Sequence, residues 1–312
     1  MLARLQKFVV VALLAASAAW AILLVRHGHA AWGGGIAGLI LLGYALFLAV
    51  EFAMLYVVQG SGPAPRAGAR ELAAAWWGEV VAAPRVFFWR QPFRSRSQPD
   101  HLPEPASGRH GLVLVHGFVC NRGFWNPWMR DLRGRGVPHI AVNLEPLFGS
   151  IEHYARVIEE AVVRLEVLTG SPVVLVGHSM GGLAIRAWLR RFDADARVCR
   201  VITIGSPHQG TWLARFGRTT NGRQMRLRNP WLTQLAADEP PTRGALFTCF
   251  YGHCDNIVFP AVSGTLPGAV NLHVPGTAHV HMAFQPVVFN EVCRWLAEAP
   301  ATASRPCAAA AQ

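Results

Sequence analysis

The sequence predicts an α/β fold: a mostly parallel sheet with helices on both faces, preceded by an N-terminal two-helix transmembrane hairpin. Three observations carry this. Short apolar runs alternate with helical periodicity from about residue 110 to 298, the pattern of a parallel sheet covered on both sides. One of these runs leads straight into Gly177-His178-Ser179-Met180-Gly181. Two long apolar runs precede residue 60.

The 312 residues are 52% apolar, and the excess is concentrated in the first 58. Phe8–Val25 is free of charge, and Ile36–Val58 is interrupted only by Glu51. Both lengths suit a hydrocarbon core of roughly 30 Å. Arg26–Gly35 between them is short and turn-rich. Residues 1–59 therefore read as a transmembrane helical hairpin, with Trp32 and Tyr56 near its ends, where amphipathic rings favour the interface. Arg4 and Lys7 precede the first run, Arg26 alone lies in the loop, and Arg66, Arg70, Arg85 and Arg90 follow the second. The positive-inside rule places both chain ends in the cytoplasm, hence a multi-pass protein of the inner membrane with a cytoplasmic catalytic domain. In an alternative reading the first run is a signal peptide cleaved near Ala16-Ser17-Ala18-Ala19, and the second stops transfer. Glu51 is costly in lipid, about 2.5–3.5 kcal/mol on insertion scales at mid-helix. It is expected to face the partner helix or to carry an intramembrane function.

Residues 60–109 read as an Arg/Pro-rich connector with a short amphipathic piece near Glu71–Val81. Pro, Arg and Ser there argue against a packed core. Trp76, Trp77, Phe87, Phe88 and Trp89 suit either an interfacial segment on anionic lipid or packing on the catalytic domain. The net charge of +11 rests almost entirely on Arg, since Lys7 is the one lysine. With no nucleic-acid motif and the Arg scattered, the charge points to a membrane surface or to composition bias, and no nucleic-acid partner is expected.

Expected strands are Leu112–Val115, Val137–Leu144, Val173–Val176, Val198–Ile204, Leu246–Tyr251 and Val270–Val274. Expected helices include Ile151–Leu168, Leu183–Phe192 and Phe284–Ala297. Segment 211–244 fits no strand–helix unit. Its Trp, Phe, Met and Leu among Arg fit a lid or acyl-binding cap, or a packed surface insertion. The tail 299–312 is Ala- and Pro-rich and is expected to be disordered.

The chemistry starts at Ser179. A strand, a one-residue strained turn and a helix form a nucleophile elbow, with Gly177 and Gly181 where strand and helix come close. His178 lies inside the elbow, where packing is its expected role. A serine hydroxyl needs a base, and the base needs an orienting acid. Of thirteen histidines, His279 follows strand Val270–Val274 through a turn; His281, two residues on, is the alternative. Asp255 lies just past strand Leu246–Tyr251 and is preferred as the acid over Asp238, Glu239, Asp193 and Asp195. Oxyanion donors are expected from the backbone N–H of Met180, after the nucleophile, and of Phe118, after the first strand.

These stretches resemble the α/β-hydrolase fold and, within it, bacterial triacylglycerol lipases. The resemblance rests on Leu112–Phe118, Gly177–Gly182, Gly205-Ser206-Pro207-His208-Gln209-Gly210, Asp255 and Gly276-Thr277-Ala278-His279. It spans about residues 110–297 and implies a carboxylic ester hydrolase acting on lipid or other acyl esters. Acyl transfer, thioester cleavage or amide cleavage share the same triad, and a non-catalytic membrane scaffold is the remaining reading. No cofactor and no metal are expected: the six cysteines hold no C-x-x-C pair. Cys249 and Cys254 would bridge only in an oxidising compartment; otherwise they are isolated thiols.

Overall fold

A computed structural model describes residues 1–298 except 61, 63 and 105; the tail 299–312 lies outside the described residues. The chain opens with α1 (Leu2–Arg26) and α2 (Ala30–Val58). They pack antiparallel: the Ser17 hydroxyl donates to the Ala37 carbonyl, and Gly33 lies against Ala21. Only His27–His29 lies outside both helices, so the turn is shorter than the composition of 26–35 suggested. Gly28 adopts φ +79° there, which glycine takes without steric cost. Both helices are long and apolar enough to cross a membrane.

The hairpin does not stand apart from the rest. Its open end is docked. Leu2 is buried, the Met1 ammonium meets Glu145, and the Gln6 amide donates to Gln91 and to the Val119 carbonyl. Leu48, Phe52 and Leu55 of α2 are buried. Burying a side chain of this size stabilises by about 1.5–3 kcal/mol.

The expected connector proves to be structural, which corrects the reading of 60–109 as outside a packed core. Helix α3 (Ala69–Pro84) runs into a π-helical turn, Arg85–Arg90, and then the short α4 (Gln91–Arg94). Leu72, Ala75, Ala83 and Val86 are buried at a spacing of three to eight along this stretch, so one face is apolar despite the polar composition. The Trp76 indole N–H donates to the Ala45 carbonyl and the Tyr44 hydroxyl to the Val80 carbonyl, tying α3 to α2. Trp77 and Trp89 stay exposed.

The sheet comprises β1 (Leu112–Val115), β2 (His139–Ala141), β3 (Val173–His178), β4 (Val198–Ile204), β5 (Phe247–Tyr251) and β6 (Val270–His273). Its order is β2-β1-β3-β4-β5-β6, and every pairing is parallel. Parallel strands need covered faces. One face carries α6 (Tyr154–Thr169) and α7 (Met180–Phe192). The other carries α5 (Asn126–Gly134) and α11 (Pro286–Ala297). The centre of the sheet, β3 and β4, is buried throughout, so the strand ends there are fixed by packing on both sides.

Segment 211–244 forms a 3₁₀ turn and two short helices, α8 (Thr220–Gln224) and α9 (Pro230–Ala237). Part of its apolar surface faces inward, while Phe216 and Leu227 stay exposed. Met225, Leu232 and Leu235 are buried, Trp212 stacks on Phe259, and the Trp231 indole donates to Glu152.

Candidate active site

The site lies at the C-terminal end of β3. Ser179 caps α7 with φ +56° and ψ −129°, a conformation that costs a non-glycine residue of order 1–3 kcal/mol and points to function. It is held by its own N–H on the Ile204 carbonyl, 2.9 Å away. A Cβ on Gly177 would lie 2.7 Å from the Gly182 nitrogen, and one on Gly181 would lie 2.5 Å from the Val115 carbonyl. Both neighbours are backbone, which cannot yield.

The histidine and acid predicted from chain order meet. His279 Nδ1 lies 2.9 and 3.0 Å from the two Asp255 carboxylate oxygens. That contact places the ring proton on Nδ1 and leaves Nε2 as the basic nitrogen. Asp255 Oδ1 also accepts the N–H groups of Ile257 and Val258 at 2.9 and 2.8 Å. Asp255 is 1% exposed and His279 4%. Burial disfavours the imidazolium, but Asp255, with Glu79 and Glu51 behind it, outweighs this and holds His279 above the usual histidine value. His281 is turned away, its Nε2 on the Gln285 amide and its ring beside Gly78.

His178 stacks on Phe124 with ring centroids 4.5 Å apart. Its Nε2 donates to the His279 carbonyl, and burial pushes its pKa well down. It is a neutral strut between the elbow and the histidine turn. Phe118 and Gly117 follow β1 and border the same cavity as Ser179; Met180 opens α7 directly after the serine. His116 braces that loop. Its Nε2 accepts the Leu144 N–H and its Nδ1 donates to the Gly117 carbonyl. Burial lowers its pKa to about 4, so it stays neutral. The Gly205–Gly210 stretch supports the elbow from behind. His208 Nε2 meets the Thr203 hydroxyl, and its carbonyl accepts from the buried Arg186, whose guanidinium grips Glu239 at 2.7 and 2.8 Å.

Two residues that sequence reasoning did not place in the site belong to it. Glu79, on α3, is 2% exposed and accepts the N–H groups of Val280 and His281 at 3.0 and 2.9 Å. Burial pushes its carboxyl up to about 7, against the pull of those two donors. Glu51, on α2, accepts from the Asn256 amide at 2.6 Å, and Asn256 Oδ1 accepts the His279 N–H at 3.2 Å. Three successive backbone N–H groups, 279 to 281, are thus held directly or through Asn256 by carboxylates from the N-terminal segment. The turn α10 (His279–Met282) has no side-chain cap of its own. Glu51 was the one signal in the sequence, a lone glutamate in an apolar run; it was expected to face the partner helix, and it meets Asn256 instead.

The cavity at Ser179 has a volume of about 570 Å³. Its floor is Gly117–Cys120, His178, Ser179, Asn256, Ile257, His279 and Val280. Its wall comes from α2, α3 and the π-helical turn. Segment 211–244, expected as a lid or acyl-binding cap or else as a packed surface insertion, contributes no residue to this lining; its Met225, Leu232 and Leu235 pack into the core instead.

Among the described residues, one group has a metal-type donor set: Glu71, His253 and Cys254, with ligand atoms within 4.8 Å of one another. Both His253 nitrogens are engaged there, Nε2 with Glu71 at 2.7 Å and Nδ1 with His273 at 2.6 Å. Burial pushes the Cys254 thiol up to about 12. The cluster ties α3 to the loop carrying Asp255. Cys249 and Cys254 are separate thiols.

Elbow, parallel sheet and a histidine–carboxylate pair define an α/β-hydrolase-type site. The alpha/beta hydrolase family model matches residues 112–303, and the chain belongs to that family. Among curated proteins it is similar to the probable esterase PIR7A of Oryza sativa subsp. indica, 29% identical over 124 residues, 36% of this chain and 46% of that one. It is also similar to the esterase PIR7B of Oryza sativa subsp. japonica, 27% identical over 128 residues, 37% of this chain and 47% of that one. The chain spans about half the length of these relatives. Among solved structures, the mature Bacillus licheniformis lipase BlEst2 aligns with TM-score 0.54 at 20% identity, over 64% of this chain and 95% of that one. Aspergillus fumigatus lipase B aligns with TM-score 0.54 at 17% identity, over 67% and 58%. At these identities the structures speak for the fold.

Proposed function

We propose that the protein is a membrane-anchored serine hydrolase that cleaves carboxylic esters, lipid acyl esters among them, through Ser179, His279 and Asp255. The observation that carries this reading is the His279–Asp255 contact at 2.9 Å in the same cavity as a strained elbow serine. The esterase and lipase relatives support it.

In the proposed cycle Ser179 Oγ attacks the ester carbonyl carbon while His279 Nε2 takes the hydroxyl proton. The oxyanion is held by the Met180 and Phe118 N–H groups. Collapse breaks the carbon–oxygen bond to the alcohol, which leaves with the proton from His279. Water, deprotonated by His279, then releases the acid and restores Ser179. Asp255 keeps the imidazole proton on Nδ1 and stabilises the imidazolium. In the same reading α1 and α2 cross the inner membrane as a hairpin, with both ends and the catalytic domain on the cytoplasmic side. The Arg that flank the two apolar runs support that orientation.

Labelling with a short-chain fluorophosphonate tests the chemistry. The native protein should label and Ser179→Ala should not; a native protein that fails to label rejects the serine-hydrolase reading.

A further inference from the structure

The wall of the Ser179 cavity is built by residues outside the hydrolase family match. Nine of the nineteen lining residues lie before residue 89, on α2, α3 and the π-helical turn. The chemistry changes across the cavity. The polar groups cluster at one end, around Ser179, His279 and Asn256, and Glu51 and Glu79 there are already engaged with Asn256 and backbone N–H groups. Elsewhere the N-terminal lining is apolar, Phe47, Leu48, Ala83, Phe87 and Phe88, with the one polar group, the Tyr44 hydroxyl, committed to the Val80 carbonyl.

The position of the mouth is informative. Phe47 lines the cavity and is also 63% exposed, so it stands at the opening. Its neighbours on the outer face of α2, Leu42, Leu46 and Val50, are all more than half exposed. An opening ringed by apolar side chains admits an apolar ligand without loss of hydration, whereas a polar alcohol would lose hydrogen bonds to water there with no partner in exchange. The same face belongs to the helix long and apolar enough to cross a bilayer.

We propose that the N-terminal helices form the acyl-chain site of the enzyme. The acyl chain of a bilayer lipid ester enters past Phe47, lies between Leu48 of α2 and Phe87–Phe88 of the π-helical turn, and brings its carbonyl to Ser179. The anchor is then half of the substrate site, and the place of a lid is taken by the hairpin. This rests on the serine-hydrolase reading above.

The test uses the full chain reconstituted in phosphatidylcholine vesicles, with p-nitrophenyl butyrate and p-nitrophenyl palmitate as substrates. Leu48→Trp fills the cavity and should lower the palmitate-to-butyrate rate ratio at least tenfold. Leu48→Ala deepens it and should shift chain preference at least threefold towards longer esters. Labelling of each variant by the short fluorophosphonate serves as the check that Ser179 and His279 remain assembled. If Leu48→Trp fails to fold, Leu48→Ala decides alone. A ratio that stays at the native value in the labelling-competent variants overturns the acyl-site proposal while leaving the serine-hydrolase reading intact. A native protein that does not label overturns the latter.

Discussion

Glu79→Ala isolates what the N-terminal segment does for catalysis. The carboxylate accepts two backbone N–H groups, Val280 at 3.0 Å and His281 at 2.9 Å, and both belong to the turn that begins with His279. Above pH 7, where the carboxyl is ionised, a hydrogen bond to a charged group contributes about 1.5–3 kcal/mol net, so the alanine variant measured at pH 8 gives up about 3–6 kcal/mol. The His279 N–H keeps its bond to Asn256, and Nδ1 keeps Asp255, so the ring is loosened rather than released. If half of the loss appears as misplacement of Nε2, kcat falls by about 10- to 100-fold, since each 1.36 kcal/mol is tenfold in rate. The assay is steady-state hydrolysis of p-nitrophenyl butyrate by the full chain in detergent, with the fluorophosphonate labelling rate measured in parallel. KM for this short ester should stay within about twofold, and Glu79→Gln, which retains one acceptor, should fall between. A fall in thermal stability with kcat within twofold of native would refute the positioning role and leave Glu79 as a fold-stabilising residue.

Other consequences are as direct. The proposed base must be neutral to act, and its pKa lies above the usual histidine value, so kcat/KM should rise with pH through a midpoint above 6.5. Asp255→Asn should lower that midpoint and cost about 10⁴ in kcat; an unmoved midpoint in a pH–rate profile would exclude His279 as the titrating group. Glu79 has a folded value of about 7 against 4.5 when free. The folded state therefore holds the extra proton between these values. The associated stability, about 3 kcal/mol, is present below pH 4.5 and lost as pH rises through 7. Thermal melts at pH 5 and pH 8 should show this difference in the native chain and a reduced one in Glu79→Gln. Glu239→Ala should destabilise by about 3–5 kcal/mol, because it strands the 1%-exposed Arg186 guanidinium without its carboxylate. Denaturant titration reads that loss, and a value below about 1 kcal/mol would mean that Arg186 finds another partner.

The sequence by itself determined the elements whose signals are local. The Gly177–Gly181 spacing is dictated by backbone contacts within a few residues of Ser179, so it is written contiguously. The alternation of short apolar strands with helices fixed the class of sheet, and the chain order Ser, Asp, His after successive strands picked out Asp255 and His279, which the structure brings within 2.9 Å. Tertiary structure decided what depends on distant partners. Glu79 meets the histidine turn across 201 positions and Glu51 meets Asn256 across 205, and no spacing rule spans such gaps. Pro, Arg and Ser marked 60–109 as a connector, yet a single buried face of α3 suffices to dock it. The same limit left segment 211–244 open between an acyl cap and a packed insertion. Aromatic residues among Arg at 211–244 look free in sequence, but whether an apolar face is buried or open is a property of what packs against it. In this molecule Met225, Leu232 and Leu235 of that segment pack into the core, and α2, α3 and the π-helical turn wall the cavity at Ser179.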